Sequence, residues 1–254
     1  MSSTLGCIGL ASEDVDSLDA LIERLVPEAV VVASLGDLQA RRWTDTTGAS
    51  LTMTTRASGD DRGVLVDIVP SYAPPGPGAE TRGVRVGALC GYGETLAAEL
   101  VDEAGETVVR IACDLAQSIV AEVTTPREAG LTALGLDIAV HADAAAFASS
   151  DESLLGTPGS GGTPTRFATE SLLAYGLTEA REKAQPTAFL SGTVLSVASH
   201  VNSETEQHFH TALLRGASGT ITVCLAASDH PEAPEVGTVL SGVCYLVLDV
   251  PDLW

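Results

Sequence analysis

Lysine is almost missing from this sequence. Lys183 is the only one, and arginine supplies the rest of 13 cationic side chains, against 34 carboxylates and a net charge of -21. A chain so poor in cations has little with which to neutralise phosphates, which argues against nucleic acid and anionic membrane surfaces as partners. Aromatic residues are also scarce, at 4%, too few to stack successive bases. The five cysteines, Cys7, Cys90, Cys113, Cys224 and Cys244, include no CxxC pair. That spacing argues against a zinc ribbon or disulfide framework and for reduced, buried thiols. No apolar run approaches the ~20 residues a membrane-spanning helix needs. Met1, Ser2, Ser3 and Thr4 show neither the basic nor the apolar part of a signal peptide, so the expectation is a cytoplasmic chain.

Nucleotide and nucleophile signatures are missing too. The glycine-rich stretch 156–162 lacks the GxxxxGK[ST] pattern, no helix clearly follows Gly91-Tyr92-Gly93, and no serine lies in a GxSxG setting. The paired acids Asp60-Asp61, Asp102-Glu103 and Asp151-Glu152 fall in turn-like contexts, where sequence neighbours point different ways. Asp67 and Asp137 differ, because each interrupts a strongly apolar run and must face solvent or find partners.

What is present is aliphatic. Hydrophobic residues make up 45% of 254, mostly Val, Leu and Ala, a composition suited to strands. Residues 5–10 read as a buried strand. Ser12 is placed to cap a helix whose apolar face is Val15, Leu18, Leu21, Ile22 and Leu25, with Pro27 ending it. Strands are expected at 29–33, 38–44, 50–55, 64–69, 84–90, 95–101 and 107–113, with turns at 45–48 and 102–105. The run 131–140 adds a further strand, 143–149 a helical turn or two, 156–164 a linker, and 169–183 a helix weakened by Gly176. From residue 187 strands recur at 189–200, 208–215, 221–226 and 239–247. The expected class is α+β: a mainly antiparallel N-terminal α+β domain (1–155), a linker and helical segment (156–186), and a small all-β barrel (187–254).

Two resemblances accompany this pattern. The run Leu190-Ser191-Gly192-Thr193-Val194-Leu195, then Ile221-Thr222-Val223-Cys224, then Glu235-Val236-Gly237-Thr238-Val239-Leu240-Ser241-Gly242 resembles an OB-fold barrel, which implies single-strand binding. The segment opposes that use, since Arg215 is its one basic residue against seven acidic ones. Residues 5–55, with Trp43-Thr44-Asp45-Thr46-Thr47-Gly48 before the last strand, are similar to a βαβββ module of the glyoxalase and dioxygenase superfamily. No His stands in the first strand and no Glu in 51–55, so a module of that type would lack its metal site. Arginine and alanine usage resembles that of a GC-rich bacterial genome.

The histidines carry the most chemistry. His208 and His210 are two apart on an expected strand and share a face. His200 lies on the preceding strand, and in one register it stands opposite His208, so the three form a candidate zinc site. His141 and His230 are isolated. The leading functional expectation is a non-catalytic binding or assembly module acting through a protein partner or as a homo-oligomer. The alternatives are a small-molecule binder or enzyme with a pocket in the N-terminal domain, and a metal-binding barrel using His200, His208 and His210.

Overall fold

A computed structural model of the chain describes residues 3–57, 63–75, 83–92, 95–117, 127–155, 165–177 and 183–250. Among these it contains thirteen strands and two α-helices. Helix α1 (Val15–Leu25) is followed by β1 (Val30–Leu35), β2 (Leu38–Thr44), β3 (Ala49–Arg56) and β4 (Val64–Tyr72). These four strands form an antiparallel sheet in chain order. Next come β5 (Val84–Tyr92), β6 (Thr95–Val101), β7 (Thr107–Leu115), β8 (Arg127–His141), α2 (Ala144–Ser149) and β9 (Ser171–Leu173). The last strands are β10 (Thr187–Val201), β11 (His208–Gly216), β12 (Gly219–Ala226) and β13 (Val239–Asp249). Strands β5 to β13 form a single nine-stranded sheet.

The expected α+β domain followed by a small barrel is not what forms. Strands β5, β6 and β7 make an antiparallel meander, and so do β10, β11 and β12. Each meander is closed by two long strands. Strand β8 pairs antiparallel with β5 but parallel with β12. Strand β13 pairs antiparallel with β10 but parallel with β7. The two long strands also pair with each other, antiparallel, from Val239↔His141 to Asp249↔Gly130. The result is two five-stranded rings that share β8 and β13, each meander being closed partly by the other's long strand. The strands after residue 187 therefore form no self-contained barrel, because their ring needs residues 127–141.

Side-chain alternation lets each ring bury its inner face. One continuous core runs through both rings, including Val86, Leu100 and Ile111 on one side, Leu190, Leu214 and Val223 on the other, and Leu131 and Leu246 on the shared strands. A second core lies outside the rings. There Leu134, Phe209, Cys224 and Val247, from the sheet's outer face, meet Trp43, Leu51, Met53 and Tyr72 of the small sheet and Leu21, Ile22 and Leu25 of α1.

Several local expectations change for physical reasons. Residues 5–10 are buried as expected but form a 3-10 turn at Gly6–Ile8. An apolar run that is buried on every side carries no periodicity to separate strand from helix. The cap of α1 is Asp14, whose side chain accepts from Ser17 N (2.8 Å) while Ser17 Oγ accepts from Asp14 N (3.1 Å). Strand β4 runs through Pro70 to Tyr72 because it is an edge strand, where a missing N–H costs no ladder bond. The helix expected over 169–183 is replaced, where described, by β9 and a 3-10 turn at Tyr175–Leu177. Gly176 there packs so closely that a Cβ would sit 1.9 Å from the Gln185 carbonyl oxygen. The expected linker at 156–164 lies outside the described residues.

The shared pair tolerates little change. Gly242 has φ +147°, and a Cβ on it would lie 1.9 Å from the Asp137 carbonyl oxygen on β8. Gly242→Ala is expected to cost on the order of 3 kcal/mol or more, since it combines a strained backbone with a main-chain clash. Gly105→Ala has a left-handed φ of +85° but open space around the new methyl and should cost only about 1 kcal/mol. Denaturant midpoints of the two variants test the contrast, and equal losses would remove the shared pair from its central role.

Candidate functional site

A cleft of about 810 Å3 opens between the C-terminal end of α1 and one face of the small sheet. Register determines what lines it. Gln39 pairs with Thr55, Arg41 with Met53 and Trp43 with Leu51, so these six side chains share a face in three successive rows. The Trp43–Leu51 row is buried in the second core. In the other rows Met53 is buried while Gln39, Arg41 and Thr55 are half-buried, and the cleft lies over them. Met53, Leu38, Leu65, Ile22 and Val26 supply apolar walls; Arg41, Gln39 and Thr55 supply polar groups, and Glu23 stands on the helix side.

Arg41 has an unusual position among the cations. Arg24, Arg56, Arg85, Arg110 and Arg215 each pair with a carboxylate, on Glu204, Asp37, Glu128, Glu99 and Glu170 respectively. Arg42 donates to the Ala116 carbonyl. Arg41 instead donates its Nε to the neutral Gln39 Oε1 at 2.9 Å, which orients the guanidinium without neutralising it. No carboxylate among the described residues lies within ion-pair distance of it. A guanidinium held this way still offers its terminal N–H groups to a planar anion. One signal in the sequence is usable, since Arg41 sits at period two from Trp43. The adjoining Arg42 hid it, because two arginines in a row read as a solvated patch.

The histidines do not converge. His200 stands opposite Phe209, Ser199 opposite His210, and Val201 opposite His208. His208 and His210 do share a face, but the hairpin is offset by one position from the register that would bring His200 to them. His200 stacks on Phe209 (4.8 Å between centroids), contacts the Tyr72 ring, and hydrogen-bonds Thr211 Oγ1 through Nε2 (2.9 Å). His210 is buried, with Nδ1 2.9 Å from Ser199 Oγ and Nε2 3.1 Å from the His230 carbonyl oxygen. His208 is exposed. Among the described residues no three His, Cys, Asp or Glu side chains are grouped to hold a metal, so zinc finds no donor set here. His141, half-buried at the end of β8, bonds Ser241 Oγ (2.8 Å) and packs on Phe147 of α2. Burial lowers the pKa of His200, His210 and His230. Their neutral forms stabilise the fold above the ordinary histidine range, and that contribution fades as pH falls through the lowered values.

Of the two strand-interrupting acids, both Asp67 and Asp137 are exposed. Asp67 is nevertheless near enough to Asp114 on β7 to act on its titration. Asp114 accepts a hydrogen bond from the Tyr245 hydroxyl. Burial pushes the Asp114 carboxyl up to about 6; the Tyr245 bond opposes this and the Asp67 charge adds to it. Of the cysteines, Cys90 is exposed and the other four are buried, with burial pushing the Cys7 and Cys244 thiols up to about 12. Among the described residues no helix is long and apolar enough to cross a membrane. No protein family, curated protein or solved structure matches the chain.

Asp114 yields a pH prediction. Its folded pKa lies above the unfolded value of 3.8, so the folded state holds the proton longer. Its contribution is fully present below that value and is lost as pH rises through about 6. Asp114→Asn cannot titrate. From pH 4 to pH 7 the native chain should lose on the order of 2 kcal/mol relative to this variant. Parallel stability curves from urea melts across that range would contradict the assignment.

Proposed function

We propose that this chain is a binding protein for a small amphipathic monoanion, held in the cleft between α1 and the small sheet. The observation that carries this reading is Arg41, oriented by Gln39 and left without a carboxylate beside an apolar floor. The cleft's volume suits a small-molecule ligand. A carboxylate head pairs with the Arg41 guanidinium, and an apolar body covers Leu38 and Leu65. Glu23 on the helix wall disfavours a second negative charge on the ligand. The net charge of -21 slows the approach of any anion, but beyond about 8 Å that field is screened at physiological salt, so the local guanidinium governs retention. The test is calorimetric titration with a medium-chain monocarboxylate, the matching alcohol and the matching dicarboxylate. The monocarboxylate should bind best, and Arg41→Ala should weaken it about 10- to 100-fold. Equal binding of acid and alcohol, or an unchanged affinity in Arg41→Ala, would end this reading.

A second reading, self-assembly, draws on the edge of the same sheet. Strand β1 pairs only with β2 among the described residues, and Val30, Val31 and Leu35 on it are exposed. An uncovered apolar edge offers unpaired backbone groups for strand addition. Two copies of a chain at -21 repel each other, and β1 carries no charge from Val30 to Leu35, so an antiparallel β1–β1 contact meets that repulsion where it is weakest. Light scattering should give the mass of a dimer, and Val31→Lys should give a monomer. A monomeric native chain would rule this contact out.

A further inference from the structure

The inward-facing row of β11 runs Leu214, Ala212, His210, His208. Leu214 and Ala212 belong to the ring core, His210 is buried, and His208 is exposed. The row thus leads from the interior to the mouth of the second ring. At that mouth Ser199, His210 and Leu225 stand side by side across three strands. The chain segment after β12 folds back over them and brings the His230 carbonyl to His210 Nε2 at 3.1 Å.

These contacts fix the state of the imidazole. A carbonyl oxygen only accepts, so Nε2 of His210 carries the hydrogen. In the neutral ring Nδ1 is then an acceptor, and the Ser199 hydroxyl, 2.9 Å away, donates to it. Burial favours this neutral form. An exposed hydroxyl whose proton points at a neutral imidazole, itself held by a third group, has the arrangement that activates a nucleophilic serine. The serine lies on the solvent side of the pair and the base on the protected side.

We infer that Ser199 is a nucleophile activated by His210, and that it takes the acyl group of small uncharged esters at the mouth of the second ring. Ser199 Oγ attacks the ester carbonyl carbon as its proton passes to His210 Nδ1. The bond from the acyl carbon to the alcohol oxygen then breaks, and the departing alcohol takes that proton from His210. Water returns the serine by the same steps in reverse order, releasing the acid. An uncharged ester follows from the apolar surroundings: Leu225 and exposed Val201, which stands opposite His208, flank the pair. This inference is independent of the Arg41 cleft.

The full chain should react with a fluorophosphonate probe at Ser199, the phosphorus–fluorine bond breaking as the oxygen–phosphorus bond forms, and peptide mass spectrometry locates the adduct. Ser199→Ala should abolish labelling, His210→Gln should slow it at least tenfold, and His208→Ala should leave it within twofold of the native rate. The groups facing His210 are Ser199 on β10, His208 on its own strand, Leu225 on β12 and His230 beyond it, and the exposed His208 is the control for a general imidazole effect. If His210→Gln does not fold, the native chain decides the matter, since labelling should fall as pH drops and His210 takes up a proton. No adduct, an adduct elsewhere, equal loss in His208→Ala, or a rate independent of pH through the histidine range would overturn the inference.

Discussion

The pairing of β8 with β13 is the interaction on which the rest of the structure depends. Each long strand faces both rings, so its side chains contribute to both halves of the core: Leu131 and Ala133 on β8 and Leu246 and Leu248 on β13 all belong to one cluster with residues of both meanders. Three consecutive antiparallel strands make only a curved sheet with two open edges. Here each meander's first strand is met by its own long strand, antiparallel, and its last strand by the other's, in parallel. Closure removes those edges. It also makes the two halves interdependent, because neither ring closes without a strand from the other.

A closed double ring buries its inner face completely and leaves the outer face to be covered. The small sheet and α1 do this on one side, where Leu134, Phe209 and Cys224 point outward into the second core. Arg42 and Thr52 of the small sheet both bond the Ala116 carbonyl just after β7, which ties the two layers together with polar contacts as well. Because one face of the small sheet is used for α1 and the helix is only eleven residues long, its cover ends before the sheet does. The cleft over Gln39, Arg41, Met53 and Thr55 is the part of that face the helix does not reach. Its position is a consequence of element lengths.

Local elements were legible in the sequence and the long-range pairing was not. The β2–β3 and β6–β7 hairpins were readable because two runs of β-favouring residues flanked a short turn, as at Asp45 to Gly48 and Asp102 to Gly105. The strands after residue 187 were also placed nearly to the residue. Nothing local marks that β8 leaves its own meander to lie parallel with β12, since a strand buried on both faces shows a near-continuous apolar run whatever its neighbour. Alternation in the last third marked a row of strands, but the small barrel expected of them is not what forms, because their ring is closed by β8. The histidines show the same limit at finer grain. Alternation put His208 and His210 on one face, while the register that separates them from His200 is set by the bulge between Val194 and Ser196 and by the 202–207 turn, which no periodicity reveals.

Composition becomes informative once geometry is added to it. With few cations and many carboxylates, nearly any exposed arginine will find an acid nearby, and most of the described ones have done so. Arg42 and Arg166 rest on backbone carbonyls and a serine hydroxyl instead, and Arg41 differs from both in lying in a cleft with its Nε on an amide oxygen. The same reasoning applies to the serine at the mouth of the second ring. In a chain whose surface is dominated by carboxylates, a hydroxyl held by a neutral imidazole rather than by an acid meets a base that can accept its proton near neutral pH. An ordinary carboxylate, being far less basic, is a poor proton acceptor there. Among the described residues, the shortage of positive charge and the shielding of the histidines thus single out the Arg41 cleft and the Ser199–His210 pair.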